Sequence, residues 1–153
     1  MKITLSLDIN QQNSLFAAFS QLDKHDVVTP GVENGPKVVS VLYQIGGVAR
    51  RSIVKNMNAL RSSLQSFEDA RKQSFNELWP EKDMSELPLL SKDNPEKFKK
   101  FISDVGKLVI EKDDVELFTL FESVMYGKEE LPSDALAVLD QHNLIIEDEK
   151  KEV

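Results

Sequence analysis

Few of the side chains able to do covalent or acid–base chemistry stand at spacings that would let them act together. Histidine occurs only as His25 and His142, and neither has a second histidine a helical turn away to share a metal. Both read as surface residues. No serine lies in a Gly-x-Ser-x-Gly turn, and a chain without cysteine has no thiolate nucleophile, zinc thiolate or disulfide. Lack of cysteine is also compatible with a reducing cytosol. Carboxylates gather at Glu111, Asp113, Asp114 and Glu116, and again at Glu129 and Glu130. They lack the ligand positions and central glycine of a calcium loop, and read as solvated turns. Gly46-Gly47-Val48-Ala49-Arg50-Arg51 offers N–H groups and cations to an anion, but without the Gly-x-x-x-x-Gly-Lys pattern a helix kink is the better fit. The inventory points to a protein that is not an enzyme and needs no cofactor.

Binding chemistry is better represented. Between Lys37 and Phe67 there is no aspartate or glutamate, yet Lys37, Arg50, Arg51, Lys55 and Arg61 all fall there. With a formal charge of −7 overall, the remainder carries −12. An acidic chain repels phosphate at long range, which argues against nucleic acid. Screening confines that field to about 10 Å at ordinary salt, so a local basic patch still acts at contact. Arg51, Lys55 and Asn58 share one helical face, whereas Arg50 and Arg71 fall on a seam with Ile53, Leu60 and Phe67. An arginine on an apolar seam needs a carboxylate, a phosphate or water. Either Arg50 snorkels to the helix edge and Arg71 pairs with a carboxylate of another helix, or Arg50, Arg51, Lys55 and Arg61, with Tyr43 beside them, receive an acidic partner or a phosphorylated ligand. Tyr43 is the one aromatic residue interleaved with the cations, so the stacking platforms of single-strand binders are missing.

The elements that must position these residues follow from periodicity. Ile3, Leu5 and Leu7 alternate with polar residues, predicting a strand over 2–7. Asp8 and Gln11 resemble a capping box opening a helix over 9–22, with Leu15, Phe16, Phe19 and Leu22 on one face. Pro30, Gly31, Asn34, Gly35 and Pro36 mark a loop. Val39, Tyr43, Gly46, Arg50, Ile53, Met57, Leu60, Leu64, Phe67, Arg71, Ser74 and Leu78 then recur at steps of four and three, the seam of a long helix. Its first part, about 37–45, is rich in β-branched residues and fits a strand equally. Trp79-Pro80 ends the helix, and a polar linker runs to Asp93. Asn94-Pro95 opens a helix over 95–110, 114–120 reads as a strand pairing with the first, and a short helix runs from Pro132 or Ser133 to Leu139. A charged tail occupies 147–153.

The fold class expected is α+β and mostly helical: a long helical hairpin with a small two-stranded antiparallel sheet and a short C-terminal helix. Residues 1–146 form a single domain on this reading. A helix over 48–78 is about 46 Å long, against about 38 Å for a compact domain of this size. The helix at 95–110 covers only about 24 Å of that seam, leaving the rest for the first helix or a second copy of the chain. No apolar run approaches the roughly 18 residues that span a bilayer, and the start of the chain is neither a signal peptide nor an anchor.

This ordering resembles a family of small, uncharacterised bacteriophage accessory proteins. The resemblance is carried by Leu60, Leu64, Phe67, Glu68, Ala70 and Arg71 on the long helix, then by Leu131, Pro132, Leu136 and Leu139. It spans most of the chain and departs at 30–36 and 81–94. It implies a viral origin, an accessory role and a place in the host cytoplasm, and carries over no catalytic residue. The expectation is a protein that binds other proteins, by self-assembly into a homo-oligomer and by docking on a host or virion protein. The alternative is an anti-defence protein holding a phosphate-bearing nucleotide with its basic helix.

Overall fold

The structure, a computed structural model, describes residues 1–24, 26–29, 37–40, 47–126 and 131–148. Strand β1 (Lys2–Leu7) leads into helix α1 (Ile9–Lys24), followed by a strand pair, β2 (Asp26–Thr29) and β3 (Lys37–Ser40). Helix α2 (Gly47–Leu78) is the longest element. A 3-10 turn (Met84–Glu86) and helix α3 (Leu87–Asp93) join it to α4 (Pro95–Ile110). Strand β4 (Asp113–Phe118), strand β5 (Leu120–Phe121), helix α5 (Glu122–Met125), helix α6 (Ser133–Gln141) and strand β6 (Ile145–Ile146) complete the order. The molecule is mostly helical, and α2 with α4 forms the expected hairpin beside a small antiparallel sheet.

Local signals account for most boundaries. The Asp8 carboxylate accepts from the Gln11 N–H at 2.9 Å while the Gln11 amide accepts from the Asp8 N–H at 3.0 Å, the reciprocal box that starts α1. Asn94 caps α4 by accepting from the Lys97 N–H at 3.2 Å, and Pro95 occupies the first turn, where no N–H is needed. Helix α6 ends at Gln141, and two residues on Asn143 takes the left-handed conformation (φ 59°) that asparagine tolerates better than most residues. The Leu144 N–H then reaches back to the Leu139 carbonyl at 3.0 Å, turning Leu144 into the core.

β1 and β4 pair antiparallel, with Ile3 opposite Leu117 and Leu5 opposite Val115 on the inward face. Lys2 opposite Phe118 and Thr4 opposite Glu116 lie on the other face. The main core joins Leu7, Leu15, Phe19 and Leu22 to Ile53, Met57 and Leu60 of α2, Leu117 of β4, and Leu136, Leu139 and Leu144 near the C-terminal end. A separate cluster sits at the far end of α2, where Phe75, Trp79 and Phe101 meet with ring centroids 5.1–6.2 Å apart. Two of those three pairs are edge-on, the geometry favoured by the ring quadrupole.

Several expectations are corrected. The stretch read as a polar linker contains a second capping box: Asp83 accepts from the Ser85 N–H and Glu86 from the Asp83 N–H, each at 2.9 Å. It opens a short turn and α3, whose Leu87 and Leu90 pack on the aromatic cluster. Residues 37–40 are a strand, so the β-branched reading holds there and Lys37 leaves the helical cation group. Residues 30–36, 41–46 and 149–153, which include Tyr43, Gly46, the proline-rich loop and most of the charged tail, lie outside the described residues, as does His25.

The seam of α2 also differs from the strict four-three repeat. Its buried residues are Ala49, Ile53, Asn56, Met57, Leu60 and Phe75. Arg50, placed on the seam by spacing, is exposed, one position round from Ala49. A straight helix turns about 100° per residue, so Leu60 and Phe75 point about 60° apart, and each end buries a different face against different neighbours. Arg71 pairs with Glu68 of its own helix at 2.8 Å, not with another helix.

Candidate functional site

An open groove of 760 Å³ lies where the start of α2 meets the end of the sheet. One wall is the helix face of Gly47, Val48, Arg51, Ser52 and Lys55. The other wall is Phe118 through Phe121 with Val124, and Met1 closes one side. Val48 is 85% exposed, Met1 76% and Phe121 37%, so the groove presents apolar surface directly to solvent.

The main chain around it is held firmly. Phe118 directs its backbone groups away from β1, and the buried Asn56 side chain meets both. Its amide accepts from the Phe118 N–H at 2.7 Å and donates to the Phe118 carbonyl at 2.9 Å. One side chain thereby supplies the hydrogen bonds of a missing third strand and fixes α2 against β4. The next residue, Thr119, donates to the Met1 carbonyl through both its N–H (2.8 Å) and its hydroxyl (3.0 Å). Leu120 continues the frame by donating to the Leu144 carbonyl at 2.7 Å, where β5 and β6 pair in parallel.

Cations rim this apolar surface. Lys55 Nζ lies 5.1 Å and Lys2 Nζ 5.3 Å from the Phe118 ring centroid, so one aromatic ring attracts two ammonium groups. Lys2 also approaches Glu116 at 3.9 Å, an exposed pair of small energetic weight. Arg51 stands one turn before Lys55 on the same face.

Of the residues singled out from sequence, the structure brings together Arg51 and Lys55. Arg61 lies elsewhere: its guanidinium sits 5.6 Å from the Phe16 ring of α1 and donates to Asn58 at 3.0 Å. Arg50 does not line the groove, and Tyr43 lies outside the described residues. Sequence reasoning missed Phe118, Phe121, Val48 and Met1. A signal for Phe118 existed: Val115 and Leu117 fix the inward phase of β4, so an adjacent phenylalanine must face outward.

Asp83 and Tyr126 titrate away from their ordinary values, and neither lines the groove. Burial, then the charges of Asp140 and Glu122, push the Tyr126 phenol above 10.0. Among the described residues, no three or more histidine or acidic side chains come together as a metal site, and no helix is long and apolar enough to cross a membrane. Comparison with family models, curated proteins and solved structures finds no match.

Proposed function

We propose that this is a non-catalytic binding protein that docks another protein through the groove at the start of α2. The setting implied by the sequence resemblance belongs to the same proposal: a bacteriophage accessory protein acting on a host or virion protein. The observation that carries the reading is an apolar surface of exposed Val48 and Phe121 and half-buried Phe118 beside a rim of Arg51 and Lys55. Such a surface suits a segment with an apolar anchor flanked by acids, because the anchor is desolvated while the acids meet cations at the edge. Rim charges act mainly on association rate and salt dependence, while the anchor sets residence time.

The test uses recovery of partners from infected cells by the wild-type protein, then binding of the recovered protein at low and high salt. Arg51→Glu/Lys55→Glu should lower affinity at least tenfold and flatten the salt dependence. Phe121→Asp should speed dissociation, and Lys72→Glu on an exposed part of the same helix should do neither. Equal binding by all variants, each with an unchanged circular dichroism spectrum, would refute the groove.

A phosphate-bearing nucleotide is the second reading, favoured by one observation: Phe118 and Phe121 line the same groove as Arg51 and Lys55, a ring-and-cation pairing absent from the linear sequence. A thermal-shift panel of nucleotides separates the two, since ligand at 100 times its dissociation constant stabilises by about 2.7 kcal/mol.

A further inference from the structure

Resting on the docking groove proposed above, we infer that its occupant in the free protein is a second copy of this chain, related to the first by a two-fold axis beside α5. The seam of α2 is not the pairing face, because α1 and β4 fill its near end and α3 and α4 its far end. The groove suits an apolar anchor flanked by acids, and the chain presents one on its own surface. Tyr126 is 52% exposed. Glu122 precedes it by one helical turn, and the two line a shallow depression that Asp148 closes by accepting from the Ser123 N–H at 3.1 Å. Asp140 lines a second depression on the other side of the same tyrosine.

The charges on both surfaces are uncompensated within the chain. Among the described residues, no cationic side chain stands within ion-pair distance of Glu122 or Asp140, and no carboxylate does so for Arg51 or Lys55. All four are exposed. Opposite charges left unpaired on neighbouring surfaces of one chain satisfy each other across a contact between two chains.

The arrangement of the two surfaces selects a two-fold contact. Helix α5 divides them: Phe121 and Val124 lie on the groove side, Glu122 and Tyr126 on the acidic side. A half-turn about an axis between such patches lays the acids of each copy on the cations of the other and makes the match twice. Tyr126 of each copy then enters the other's groove, and the Phe121 and Val124 side chains nearest the axis supply an apolar centre. A host or virion protein would have to displace this contact to reach the groove.

The test is light scattering over a concentration series from the micromolar to the millimolar range. The mass should rise from 17.3 kDa toward twice that value, and less readily at high salt. Arg51→Glu/Lys55→Glu and Glu122→Lys/Asp140→Lys, each with an unchanged circular dichroism spectrum, should both stay at one chain. An equimolar mixture of these two variants should regain the double mass, because every reversed charge then meets its opposite. A single-chain mass for the wild type throughout, a dimer that survives either reversal, or a mixture that stays at one chain would each overturn the inference. The docking reading is tested separately with the protein recovered from infected cells. Glu122→Lys/Asp140→Lys leaves the groove residues in place and should bind that protein at least as tightly as the wild type does. A monomeric wild type whose binding still depends on Arg51 and Lys55 would keep the groove and remove the second copy from it. A dimer sensitive to both reversals, in a protein whose partner ignores them, would do the opposite.

Discussion

Replacing Asn56 by leucine, which keeps the branch point but carries bulkier methyl groups, removes both hydrogen bonds to Phe118 from a fully buried side chain. One backbone donor and one acceptor are then left without their partner, and each such group costs about 1–3 kcal/mol when buried. Phe118 is half-buried, so water recovers part of that loss, and the expected destabilisation is about 2–4 kcal/mol. Against the 5–15 kcal/mol typical of a domain this is a large fraction. Urea unfolding followed by far-ultraviolet circular dichroism measures it as a lower midpoint at unchanged slope. Phe118 also forms the groove wall, so the same variant should bind the groove's partner more weakly even where it is fully folded. A loss below about 1 kcal/mol would refute the reasoning, because it would mean that the Phe118 groups find equal partners without Asn56.

The aromatic cluster makes a second prediction: Phe101→Ala should cost about 3–5 kcal/mol of local stability at the far end of the hairpin. The single tryptophan, Trp79, reports it as a red-shifted emission, and an unchanged spectrum would contradict the packing. The box that opens α1 is tested by Asp8→Ala, for which loss of the cap should destabilise by about 1 kcal/mol in urea. Asp83 predicts a pH dependence. The Ser85 backbone N–H, and then its side chain, hold the Asp83 carboxyl below its ordinary 3.8, with burial working weakly the other way. A lowered folded pKa stabilises above 3.8, and that contribution is lost as pH falls through the folded value. The Ser85 amide resonance should therefore titrate with a midpoint under 3.8, and a midpoint at or above it would contradict the cap.

Elements whose signals are local were readable from the sequence. The alternation of Ile3, Leu5 and Leu7, the Asp8–Gln11 box and Asn94-Pro95 each act within a few residues, and the structure places β1, α1 and α4 there. Asp83-x-x-Glu86 was equally local, but the prolines and charges around it masked the box. The buried face of α2 was harder to read. Arg50 and Ala49 are one residue apart, and only the position of the packing partners decides which turns inward. The groove required still more, because it joins Met1, the 47–55 face and residues 118–124, three stretches distant in sequence. Nothing in the acid-free run indicates that β4 will bring Phe118 to Lys55. Charge pattern identified the cations, and the sheet register decided which of them share a surface.

Helix α2 carries a cluster of buried side chains at each end, and between Arg61 and Ser74 no residue is fully buried. No proline or glycine interrupts it after Gly47. It therefore behaves as a stiff lever clamped at two points. Phe75 lies twenty residues beyond Lys55, about 30 Å along the axis, so a tilt of about 5° at the groove sweeps the far clamp through about 3 Å. Under the proposed function, a partner seated between Lys55 and Phe121 would have mechanical purchase on the aromatic triad and the helix packed upon it.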